Sequence, residues 1–307
     1  MNRSLPSAQM RDTSGDRIVA TARAWLRRRS VRRAIGATLT LLLLCLAGFF
    51  LVAPFYWLFI SAVKPKDQLF VIPPVYWPRE FVWRAFLDVW TVAPFGRYLL
   101  NTVRIASLSV IGHVLVAAVV GYGFAVGRFR GRDFWFVVVL ATMMIPPQVT
   151  LVPLFVIFRH LGWLNTILPL VVPTFFGVGG AFYIFLTRQF FLTIPVELEE
   201  AARIDGASTL RILWSVYVPL SVPVLTTVAI FAFVHSWNDF FGPLIYLTRQ
   251  SSWTLVLGLA ALQDPSGWVD YRQQMAGALL VSLPVVIIFL FAQRYYTKGI
   301  AMTGITG

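Results

Sequence analysis

Six apolar runs, most of them about 20 residues or longer, divide the charged residues of this 307-residue chain into islands. Lipid offers no hydrogen-bond partner to a backbone, so segments of this kind must satisfy their N–H and C=O groups internally. Hydrophobic residues make up 58% of the chain and charged residues only 13%, where a soluble domain carries about a quarter charged. The fold class that follows is all-α, a polytopic membrane protein with six transmembrane helices. Their expected positions are about 34–63, 99–126, 134–158, 167–187, 214–236 and 275–293. Residues 1–33 then form a basic tail and 34–307 a membrane domain. Pro54 interrupts the first run late, and Ile145-Pro146-Pro147 breaks the third.

The net charge of +13 raises the question of nucleic acid. Its location answers against that partner: nine arginines precede residue 34, five of them at Arg27, Arg28, Arg29, Arg32 and Arg33, directly ahead of the first apolar run. Such clusters set topology and sit near anionic lipid. With the N-terminus inside, 17 of the 26 basic residues fall in cytoplasmic segments. Both termini are therefore expected in the cytoplasm of a bacterial or archaeal inner membrane. The tail is expected to lack fixed structure apart from an Arg-rich helix near the membrane. The run from Ala34 to Val63 is too long for a cleaved signal core. The opposite, outer side holds a segment at 64–98 with Tyr76, Trp77, Trp83 and Trp90. It reads as a partly helical cap, either anchored by its aromatic belt or touching a soluble partner.

Several chemistries find no residues. Cys45 is the only cysteine and lies inside an apolar run, so it builds no disulfide within the chain and no metal cluster. No G-x-x-x-x-G-K-[ST] occurs, and Lys64, Lys66 and Lys298 are the only lysines, so the chain has no usual phosphate-cradling loop. His113, His160 and His235 show no ligand spacing. The chain is expected to bind no cofactor itself and not to be an enzyme.

One polar stretch, at about 188–213, stands between the fourth and fifth runs. Its centre reads Pro195-Val-Glu197-Leu-Glu199-Glu200-Ala201-Ala202-Arg203-Ile204-Asp205-Gly206. Pro195 suits a first helical turn, and the glutamates fall where the helix dipole favours negative charge. Gly206 is the natural stop, and Ser208 can cap a second helix running toward the fifth span. The expected form is a short helix, a tight bend and a second helix on the inner face of the membrane. Ala201 and Ala202 would keep a partner contact thin, and Glu200 offers a carboxylate to a partner arginine. An interfacial helix with no partner is the plainer alternative.

The spacing Glu-Ala-Ala, three residues, Gly206, then Val216-x-Val218-Pro219 resembles the signature of permease subunits of binding-protein-dependent ABC importers. From about residue 34 onward the chain is similar to their carbohydrate-type branch, which includes the smaller maltose permease subunit. Tyr98-Leu-Leu-Asn101-Thr102, Gly121-Tyr-Gly-Phe-Ala125, Met144-Ile-Pro-Pro-Gln148, Trp237-Asn-Asp-Phe240 and Met302-Thr-Gly304 carry the likeness in order. The family's Ile-x-Leu-Pro ending stands here as Val216-Tyr-Val218-Pro219. The resemblance implies a type I ABC importer permease that moves a sugar or related polyol inward by alternating access. It implies two cytoplasmic ATPase subunits carrying ATP and Mg, an extracytoplasmic binding protein and a second permease chain, a different one or a copy of this one. Glu200, Ala201, Ala202, Arg203, Asp205 and Gly206 would couple to the ATPase.

Asn238 and Asp239, near the outer end of the fifth run, are candidates to line the path or a gate, with interfacial hydrogen bonding an equal alternative. Two other classes are weaker. An ion-driven secondary transporter would need carboxylates within the spans, and apart from Asp239 at a span's end they offer essentially none. A membrane enzyme would need clustered acidic or metal-binding residues at one interface, and these are absent outside the 188–213 stretch.

Overall fold

The computed structural model describes the backbone of residues 13–262 and 270–303, and side chains of 36–262 and 270–291. The helices are α1 (Thr13–Val63), α2 (Arg84–Val92), α3 (Phe95–Val126), α4 (Arg132–Ala141), α5 (Pro147–His160), α6 (Leu168–Val171), α7 (Ala181–Phe191), α8 (Val196–Ile204), α9 (Thr209–Ile212), α10 (Val218–Leu220), α11 (Val222–Trp237), α12 (Phe241–Tyr246), α13 (Leu255–Ala260) and α14 (Tyr271–Thr303). Among the described residues no strand occurs.

Four stretches are each long and apolar enough to cross a membrane: Gly36–Val63, Phe95–Val126, Leu168–Phe191, whose helix is interrupted at residues 177–180, and Tyr271–Phe291. Two more pass as bent pairs, Arg132–Met144 with Pro147–His160 at 94°, and Thr209–Leu220 with Val222–Trp237 at 83°. Counting each pair once gives the six expected positions. Both bends fall at prolines, Pro146-Pro147 in one and Pro219 with Pro223 around the other, where a missing N–H and ring clash forbid a continuous ladder.

The chain divides into two compact units, residues 1–57 and 58–307. The first is helical from Thr13, so the helix takes in most of the tail, including its Arg-rich run; residues 1–12 lie outside the described part. Its apolar side chains from Leu39 to Phe55 are largely exposed, as befits contact with lipid.

In the second unit α3 is the central element. Ala117, Ala118, Gly121 and Ala125 lie buried along it, and α7 and α11 pack there. A Cβ at Gly121 would stand 3.2 Å from the Thr187 side chain on α7, so glycine sets how closely the two helices approach. In the N-terminal part of α3, Phe95, Tyr98 and Ala106 join Val89, Trp237, Leu255, Ala276 and Val281 in one apolar cluster. The Trp237 indole donates to the Val281 carbonyl at 2.9 Å, and the Thr102 hydroxyl accepts from Leu255 N–H at 2.8 Å.

The segment 64–98 is partly helical, as expected. Helix α2 buries Ala85 and Val89 and leaves Leu87 and Trp90 exposed. The segment is tied to the start of α14 by Asp270, which accepts from Lys66 and Arg272, each at 3.1 Å. Burial acts to raise the Asp270 pKa, but those two cations outweigh it and hold the carboxyl below its ordinary value.

Candidate functional site

The polar stretch folds as a helix, a bend and a second helix. Pro195 stands at the boundary in an extended conformation, so α8 begins one residue later than a proline in the first turn would give. Glu197 and Glu199 occupy that first turn, where unpaired N–H groups favour negative charge. The helix ends in a paired cap: Ala207 N–H reaches Ala202 C=O at 2.9 Å, and Gly206 N–H reaches Arg203 C=O at 3.0 Å. That geometry needs a left-handed residue, and Gly206 has φ +77°. Ser208 then accepts from Arg211 N–H at 3.4 Å and opens α9.

Helix α8 has two different faces. Glu197, Glu200, Ala201 and Ile204 recur at helical spacing on the exposed side, and Ile204 is 86% exposed. Glu199 and Ala202 turn the other way. Ala202 and Ala207 pack against a buried cluster of Tyr122, Ala125, Phe191, Ile212, Leu213 and Tyr217. The two alanines expected to thin a partner contact together are thus divided between the faces. Arg203 and Asp205 are exposed beside the bend. Arg203 grips the inward Glu199 at 2.7 Å, and that hydrogen bond and charge raise the guanidinium pKa further.

Sequence reasoning passed over Ile204 and Glu199. An apolar residue standing four positions after Glu200, in a helix otherwise rich in charge, was the available signal for Ile204. For Glu199 the i,i+4 spacing to Arg203 was a signal, but its partner Tyr217 lies 18 residues away on another element.

Asn238 and Asp239 lie apart from this stretch, at the end of α11. The Asn238 amide donates to Val234 C=O at 2.9 Å, one turn back. Asp239 accepts from Gly242 N–H at 3.1 Å at the start of α12. Burial pushes the Asp239 carboxyl up, opposed by the Gly242 and Phe241 amides. Both side chains are engaged in local caps. Among the described residues no three His, Cys, Asp or Glu side chains come together as a metal site.

The profile of a family described as binding-protein-dependent transport system inner membrane component matches residues 114–302. The probable ABC transporter permease protein YurM of Bacillus subtilis is 32% identical over 277 residues, 89% of this chain and 90% of that protein. The arabinooligosaccharides transport system permease protein AraQ of Halalkalibacterium halodurans is 33% identical over 263 residues, 85% of this chain and 93% of its own. The sn-glycerol-3-phosphate transport system permease protein UgpE of Yersinia pestis is 30% identical over 266 residues, 84% and 94% respectively. A chain in the crystal structure of a bacterial ABC transporter involved in the import of alginate superimposes with a TM-score of 0.70. That likeness covers 95% of this chain and 100% of the other at 24% identity, and it shows the fold.

Proposed function

Because the chain belongs to the family of binding-protein-dependent transport system inner membrane components, and so is a permease subunit of an ABC importer rather than an enzyme, we propose that α8 is the element its ATPase partner holds. Such a permease works with ATPase and substrate-binding partners and a second permease. In our reading there are two ATPases, each carrying ATP and Mg, and the second permease is a different chain. The cargo is a sugar or related polyol. The arabinooligosaccharide and glycerol phosphate named for two relatives support that class.

The observation that carries the reading is the two-faced α8. One side is packed on the bundle through Ala202, while the other offers Glu197, Glu200, Ala201 and Ile204 to a groove. Glu200 is placed to meet a partner arginine, Ala201 lets backbones approach, and Arg203, Asp205 and Gly206 shape the bend. Asn238 and Asp239 are proposed near the path, as caps that hold the α11–α12 corner. The excess of basic residues in the tail, at 128–132 and at 188–211 supports a cytoplasmic position for α8 and both termini.

Cross-linking tests this. A cysteine in place of Ala201, in the assembled importer in intact membranes, is expected to capture the ATPase subunit. Its labelling only from the extracytoplasmic side would overturn the assignment.

A further inference from the structure

Three glutamates stand in α8, and only Glu199 is buried, at 8% exposure. A carboxylate is taken out of water at a cost unless it is paired and hydrogen-bonded. Glu199 is both. One oxygen accepts from Arg203 Nε at 2.9 Å and Nη2 at 2.7 Å, within its own helix. The other accepts from the Tyr217 hydroxyl at 3.3 Å, across to the stretch that leads into the fifth span. Tyr217 is itself 2% exposed, and its ring meets the Tyr122 ring of α3 edge-on at 4.9 Å and the Phe191 ring of α7 at 5.3 Å. One carboxylate therefore joins the short helix to an aromatic knot drawn from three spans.

The two halves of this link are unequal. The Arg203 contacts have the length of charge-assisted bonds, whereas the Tyr217 contact is roughly 0.5 Å longer than a usual O–H···O bond. The carboxylate is firmly oriented within α8 and loosely engaged with the bundle. A displacement of α8 toward the bundle by that small amount closes the bond, and a displacement away breaks it.

Resting on the assignment of α8 to the ATPase contact, we infer that Glu199 is a positioning residue, oriented by Arg203, that engages Tyr217 to pass motion of α8 into α3 and α7. Ala202 packing alone resists compression but has no direction. The Glu199–Tyr217 bond supplies one. Glu200, one position on, faces outward and has a separate role.

The test uses the full importer in lipid, with hydrogen exchange at residues 120–126 of α3 compared without nucleotide and with ATP and vanadate. Each variant also carries Ala201→Cys, so that the cross-link to the ATPase reports docking. Tyr217→Phe keeps the ring and removes the hydroxyl. It is expected to keep the cross-link while the nucleotide-dependent change in α3 falls severalfold. Glu199→Gln leaves one amide oxygen for Arg203 and Tyr217 to share and is expected to lower the response in part, whereas Glu199→Ala loses it. An undiminished response in Tyr217→Phe with normal cross-linking would overturn the inference alone. Absence of the cross-link with Glu199 and Tyr217 both in place would overturn the assignment of α8 and, with it, this inference.

Discussion

Gly206 offers the most direct test of the bend. Its φ of +77° is left-handed, and no heavy atom lies within 4 Å of where a Cβ would stand. A substituent there meets no clash within the chain, so the cost of replacement is backbone strain alone. For an ordinary L-residue that strain is roughly 1–2 kcal/mol, a factor of about 5–30 in the population of the bent form. Asparagine visits the left-handed region readily and has the size of aspartate, which also visits it but brings a negative charge to the C-terminal end of α8, beside Asp205. The expected order of cross-linking rate from Ala201→Cys to the ATPase is Gly, then Asn, then Ala and Asp, with Val lowest because of its branched Cβ. ATP hydrolysis by the reconstituted complex, and membrane insertion judged by protease accessibility, should be measured together. Insertion should be unchanged across the series. Equal rates for Gly and Ala, or Asn below Ala, would show that the left-handed cap does not govern docking.

The two faces of α8 separate in a parallel experiment: Ala202→Leu overpacks the Tyr122–Phe191–Tyr217 cluster and should cost about 1–3 kcal/mol of stability, seen as a lowered thermal midpoint. Ala201→Leu, on the exposed face, should leave that midpoint unchanged and weaken the ATPase contact, read as cross-linking from a neighbouring position. Gly121→Leu forces α3 and α7 apart at Thr187, and a loss of folded protein in detergent would exceed that of Gly123→Leu, where the space is open. Asp270 has a folded pKa held below its ordinary 3.8. Its pairing with Lys66 and Arg272 is therefore complete above about pH 4 and lost as pH falls through the lowered value. The thermal midpoint should fall in that acid window, and Asp270→Asn should flatten the dependence.

Much of this architecture is legible because it follows from local rules. Continuous apolar runs specify spans, Pro146-Pro147 specifies a bend, and Gly206 and Ser208 carry the stop and the start of two adjacent helices. The faces of α8 are a different matter. Glu199 and Glu200 are chemically identical neighbours about 100° apart around the helix, as are Ala201 and Ala202. Which of each pair turns inward depends on Tyr122, Phe191 and Tyr217, which arrive from α3, the end of α7 and the stretch after α9. Asn238 and Asp239 illustrate the same limit: their polarity at a span's end fits a pathway or a cap, and only the backbone groups of Val234 and Gly242 show what each side chain touches. Helix α13 was hidden as well, because its apolar residues lie within a stretch too short and too mixed to read as a span.

What the spans do together depends on their stiffness. Among the described membrane-spanning stretches α3 is the one long helix without an internal proline; α1 has Pro54, α14 has Pro284, and the others are broken. Its C-terminal part carries Tyr122 in the knot beneath α8, and its N-terminal part is tied by Asn101 and Thr102 to the backbone of Ser251, Trp253 and Leu255. A helix of 32 residues is about 48 Å long. A rigid tilt of roughly 10° about its middle therefore moves Tyr122 by about 3 Å and Asn101 and Thr102 by about 2 Å the opposite way, more than hydrogen bonds of 2.8–3.1 Å there can absorb. Motion delivered at Tyr122 must then reappear at residues 251–255. Hydrogen exchange in the nucleotide-bound importer should change at both ends of α3 or at neither. A change confined to 120–126 would show that α3 bends, and the rigid transfer would be refuted.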